Sequence, residues 1–79
     1  MDYFLGEIQL FPYGWAPYGF RICNGDTLTI VQNQALYSLL GVNFGGDGRT
    51  NFKIPNLTNA SVPNMSYYIC VAGIYPTRQ

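Results

Sequence analysis

From Glu7 onward, apolar and polar positions alternate in short bursts separated by proline and glycine. Ile8 and Leu10 stand opposite Glu7 and Gln9, which predicts a half-buried strand over Glu7–Phe11. Two near-identical marks follow, Phe11-Pro12-Tyr13-Gly14 and Ala16-Pro17-Tyr18-Gly19. In each, proline presets the second turn position and glycine suits the fourth, so two successive type I turns are expected. Trp15, between them, is expected to be the packed anchor of a compact loop. Phe20–Cys23 reads as a second strand, Asn24-Gly25-Asp26 as a reversal, and Thr27–Ile30 as the returning strand of a hairpin.

After Ile30 the period changes. Ala35, Leu36, Leu39 and Leu40 fall on one side of a helix that starts near Asn33, a suitable N-cap. Gly41 can take the left-handed conformation that ends it. About two turns cannot hold themselves helical in water, so packing onto a sheet must maintain them. Val42–Asn51 is glycine-rich, and its Gly45, Gly46, Asp47 and Gly48 read as a tight structural turn needing positive φ. Phe52-Lys53-Ile54-Pro55 is a short extended piece that Pro55 confines to an edge or a strand end. Asn56–Asn64 is polar with little pattern. Ser66–Tyr75 is a near-continuous apolar run, read as a central strand covered on both faces; Pro76 stops it and Thr77-Arg78-Gln79 is a tail. These elements predict a small α+β domain over residues 1–79, mostly antiparallel β with one short helix packed on the sheet.

Size and composition sharpen this picture. A core built from 79 residues seldom supplies more than about 3–5 kcal/mol without further support. Four acidic and four basic residues cancel, leaving 10% charged against 16% aromatic, where a soluble chain carries about 25% charged. Neutrality leaves no basic footprint for nucleic acid and no attraction to anionic membranes. The opening Met1-Asp2-Tyr3-Phe4-Leu5 lacks the basic and long apolar regions of a signal peptide, and Tyr67–Ile74 is too short to span a bilayer. Support from further copies of the chain is therefore expected. Tyr3, Phe4, Tyr13, Trp15, Tyr18 and Tyr75 are the candidate contacts.

Candidate chemistry is sparse. With no histidine, no Ser-His-Asp or Cys-His arrangement exists and a zinc site is disfavoured; neither metal, cofactor nor enzymatic activity is expected. Cys23 and Cys70 can form a disulfide only if their strands are neighbours in the right geometry; otherwise they are reduced, buried thiols. Arg21 lies two residues from Cys23 on the same strand face, and a structural thiol is the better reading than an activated one. The loop Gly45–Arg49 lacks the Lys-Ser/Thr and following helix of a phosphate loop, and Asp47 stands without the further carboxylates a calcium site needs. Three sequons, at Asn56, Asn59 and Asn64, read as ordinary polar loop. Tyr13, Trp15 and Tyr18 offer an alternative use, a stacking platform for glycans.

Taken jointly, the punctuation resembles a known family. Gly6-Glu7-Ile8 with Phe11, Ala16-Pro17-Tyr18-Gly19-Phe20, Cys23-Asn24-Gly25, Gln32 to Gly41, Phe44-Gly45-Gly46-Asp47-Gly48, Phe52 to Leu57 and Tyr68 to Pro76 together are similar to phage tail-collar domains and to the microcystin-dependent-protein-like relatives. The resemblance implies a non-catalytic structural protein of a virion tail or extracellular appendage, made in the bacterial cytoplasm. Its implied partners are copies of itself, as a trimer or an open filament, and other tail or appendage proteins. Where relatives carry a long glycine-rich insertion, only Thr58 to Met65 intervenes here, so the chain resembles a minimal assembly core.

Overall fold

The computed structural model describes residues 3–60 and 62–76. The opening Met1-Asp2, Ser61 of the middle sequon and the tail Thr77-Arg78-Gln79 lie outside the described residues. Five antiparallel strands form two small sheets beside one helix: β1 Ile8–Phe11, β2 Phe20–Ile22, β3 Thr27–Thr29, α1 Gln34–Leu40, β4 Asn51–Lys53 and β5 Ser66–Cys70. The first sheet has the order β1-β5-β2 and the second is β3-β4.

The apolar run at the end of the chain supplies the central strand, as its composition predicts. β5 pairs Ile69 with Ile8 and Tyr68 with Gln9 on one side, and Cys70 with Phe20 on the other. It is shorter than Ser66–Tyr75, because the chain turns through Val71–Gly73. A β-carbon at Gly73 would lie 2.5 Å from the Tyr3 carbonyl oxygen, so only glycine lets the two segments approach. Beyond that turn Ile74 bridges Phe4 in parallel.

The expected hairpin of β2 and β3 does not form. β2 pairs with β5, and β3 pairs Leu28 with Phe52 of β4. Asn24-Gly25-Asp26 instead carries the chain from one sheet to the other. The Asn24 carboxamide oxygen accepts the Asp26 N–H at 3.1 Å, Gly25 takes φ +82°, and its N–H donates to the Pro55 carbonyl at 3.2 Å. These bonds satisfy the reversal without a partner strand across it.

The two turn marks also differ from expectation. The Phe20 N–H donates to the Pro17 carbonyl at 2.9 Å, with Gly19 at φ +84°. That places proline first and glycine third, the pattern of a type II turn shifted by one residue. Trp15 is 64% exposed rather than packed.

The helix occupies the predicted segment, flanked by Asn33 and Gly41. Asn33 does not cap it with its side chain; the carboxamide donates to the Thr29 carbonyl at 2.9 Å instead. Leu36 is buried, Leu39 and Leu40 are half-buried, and Ala35 is exposed.

Antiparallel register divides the first sheet into two faces. Ile69 faces a core shared with Leu28, Leu36, Phe52 and Ile54. Tyr68 and Cys70, with Phe20, form a second and smaller cluster against Tyr3 and Phe11. That second cluster positions the site.

Candidate functional site

Rings dominate the smaller cluster. Tyr3 meets Phe20 edge-on at 5.0 Å and Phe11 at 6.5 Å, while Phe11 meets Phe20 at 5.4 Å. These T-shaped contacts match the positive edge of one ring to the negative face of the next. Period-two alternation delivers them: Phe11 ends β1 and Phe20 opens β2, on strands that both flank β5.

A stack grows outward from this cluster. Tyr13 lies 5.5 Å from Phe11 with planes 15° apart, and Trp15 lies 4.9 Å from Tyr13 at 10°. The buried Tyr68 hydroxyl donates to the Tyr13 carbonyl at 2.6 Å, which fixes the base of the stack to the central strand. Pro12 and Gly14 alternate with these rings and bend the backbone between them.

Between the cluster and the second turn runs a groove of about 520 Å³, lined by Tyr3, Phe11, Tyr13, Pro17, Tyr18, Phe20, Cys70, Ala72, Gly73 and Ile74. None of these is an acidic or basic residue. The Tyr18 ring, at 101% relative exposure, stands fully in solvent on its rim. Such a surface offers aromatic and apolar contact; it presents no acid, base or metal ligand beyond the buried Cys70 thiol.

Of the residues predicted as contacts, Tyr3, Tyr13 and Tyr18 line this groove and Trp15 extends its stack. Phe4 and Tyr75 do not line it. Phe4 is exposed, its N–H held by Glu7 Oε1 at 2.9 Å. The Tyr75 hydroxyl shares a 2.7 Å hydrogen bond with Ser38 Oγ on α1. The sequence reading missed Phe11, Phe20 and Ile74. Phe11 and Phe20 read there only as strand residues, and the signal available was their position beside the two Pro-Tyr-Gly marks.

The remaining candidates settle into structural roles. Cys23 belongs to the larger core and Cys70 to the smaller, on opposite faces of the sheet, so no disulfide joins them; both are free and buried. Burial pushes the Cys23 thiol up to about 11. Arg21 pairs with Asp26 at 3.3 Å.

Gly45, Gly46 and Gly48 all take positive φ, as the tight-turn reading requires. The Asp47 carboxylate turns inward on its own loop. Oδ1 accepts the N–H groups of Arg49, Thr50 and Asn51 at 2.8, 2.9 and 3.1 Å, and Oδ2 accepts the Thr50 hydroxyl at 3.0 Å. These donors hold the carboxyl well below the usual carboxylate range. The Arg49, Thr50 and Asn51 amides are thus occupied within the loop and not free to cradle a phosphate. Among the described residues no trio of His, Cys, Asp or Glu gathers at metal-binding distance, and no helix is long and apolar enough to cross a membrane.

Among protein families, the model of the Phage Tail Collar Domain matches residues 6–62. That span holds β1 through β4 and half of the groove-lining residues. No curated protein matches the chain.

Proposed function

This chain belongs to the phage tail collar domain family, a structural, non-catalytic family, and from that premise we propose that it is a self-assembling component of a tail fibre or of a related extracellular appendage. One observation supports this reading above the rest: an uncharged aromatic groove lies open at the surface with Tyr13, Trp15 and Tyr18 exposed around it. Covering such rings removes roughly 150–250 Å² of surface for each one fully buried, at about 25 cal/mol for each apolar Å². A chain of zero net charge meets no long-range repulsion from its own copies. Contacts between copies thus supply stability that so small a core lacks. Other tail or appendage proteins that present a matching apolar surface are the further partners of this reading. A contact that closes on itself makes a ring such as a trimer, and one that does not close makes a filament. Sedimentation velocity from dilute to high micromolar concentration tests the proposal: mass that rises with concentration supports it, and a folded monomer throughout sinks it.

A second reading is favoured by the stack. Tyr13 and Trp15 stack with nearly parallel planes and Trp15 is largely exposed, so the outer face of Trp15 is a surface on which the apolar face of a sugar can lie. Titration of glycans against Trp15 fluorescence, with Trp15→Ala as control, separates this reading from assembly alone.

A further inference from the structure

We infer that the partner seated in the aromatic groove is a second copy of this chain, and that it enters with Tyr18. The inference rests on the self-assembly reading and adds to it a knob and a socket. The knob is Tyr18, fully exposed and outside every aromatic pair among the described residues. It is nonetheless held on a short, stiff turn: Pro17 fixes the backbone before it, Gly19 takes φ +84° after it, and the Phe20 N–H closes the turn on the Pro17 carbonyl. The backbone beneath the ring thus has little freedom left to lose on docking, and only the side-chain torsions remain to be fixed. Tyrosines of this kind, entering desolvated pockets, are the residues that dominate interface energetics.

The socket is the groove between Phe11, Phe20 and Ile74, about 520 Å³ in volume. It has no charged wall to reward an acidic, basic or nucleic-acid partner, whereas the neutral chain itself is a compatible occupant. Exposed apolar surface supports the same choice: Tyr13, Trp15, Tyr18 and Ile74 stand exposed in the groove or on its stack, and rings of roughly 150–250 Å² each supply much of the approximately 800 Å² that each partner covers in a standard interface. Because Tyr18 stands on the rim of its own socket, the turn that docks into one neighbour lies beside the groove that receives another.

The test uses four versions of the full chain, each checked for fold by circular dichroism: wild type, Tyr18→Ala, Ala72→Trp and Ile74→Lys. Tyr18→Ala removes the knob from an exposed position; Ala72→Trp fills the socket, and Ile74→Lys repeats that block with a charge. Sedimentation should show each variant with a dissociation constant raised at least about 30-fold. Mixing Tyr18→Ala with Ala72→Trp should restore a species of two chains, since one retains the socket and the other the knob. A Tyr18→Ala variant that assembles as tightly as wild type would overturn the knob-and-socket contact while leaving self-assembly intact. A wild type that stays monomeric would remove both. Saturable quenching of Trp15 by a glycan, on a wild type that stays monomeric, would give the groove a saccharide occupant and overturn the inference.

Discussion

The hydroxyl of Tyr68 donates to the backbone carbonyl of Tyr13 at 2.6 Å, across 55 residues of chain. This bond joins the buried central strand to the base of the exposed stack. Ring placement in the stack is thereby coupled to the central strand.

Tyr68→Phe removes the donor and leaves that carbonyl without it in a partly buried setting. The expected cost is about 1–2 kcal/mol of stability, read from denaturant unfolding. Trp15, the only tryptophan in the chain, should also lose part of its near-ultraviolet circular dichroism as the stack loosens.

Gly46 and Gly14 should respond oppositely to alanine. At Gly46, φ is +101° and a β-carbon would collide with the backbone of Phe52 and sit 2.9 Å from the Asn51 carbonyl oxygen. Gly46→Ala should therefore cost at least about 2–3 kcal/mol. Gly14 has nothing within 4 Å of that position, so Gly14→Ala should be neutral or stabilising by up to about 1 kcal/mol. Thermal unfolding of the two variants decides both.

Alkaline pH should weaken the fold partly through Cys23. Burial raises its thiol from about 9 to about 11. Between those values the unfolded chain releases a proton that the folded chain keeps, so rising pH favours unfolding. The contribution is fully present below pH 9 and lost as pH climbs through 11. Subtracting the pH profile of Cys23→Ala should isolate this slope from tyrosine titration, and alkylation of Cys23 in the folded protein at pH 8 should lag far behind that in denaturant.

Asp47 should act in the opposite direction. Its folded carboxyl lies below the ordinary range, so its support for the loop is present above about pH 4 and disappears only in stronger acid. Hydrogen exchange at Arg49, Thr50 and Asn51 should stay slow as pH falls through the normal carboxylate range. Asp47→Ala should lose that protection at every pH.

Local chemistry is readable along the chain. Gly41 ends the helix, Gly45, Gly46 and Gly48 adopt positive φ, and the apolar run around Ile69 takes the centre of a sheet. Each depends on sterics or burial within a few residues. Trp15 is the instructive exception: a large ring between two turns looks like an anchor, yet its partner Tyr13 holds it at the surface. The groove was half legible, since Tyr3, Tyr13 and Tyr18 stand out as surplus rings whereas Phe11 and Phe20 pass for ordinary strand residues.

Element type, turn chemistry, neutrality and the lack of acid–base groups are properties of the sequence, because they depend on side chains and their near neighbours. Strand partnership is a tertiary decision. The backbone of β2 could satisfy its hydrogen bonds with β3, only a few residues away, yet it uses β5 while β3 uses β4. Every strand offers the same N–H and C=O groups, so the pairing that buries most apolar surface prevails. That choice brings Tyr3, Phe11 and Phe20 together from three separate segments and opens the groove beside them.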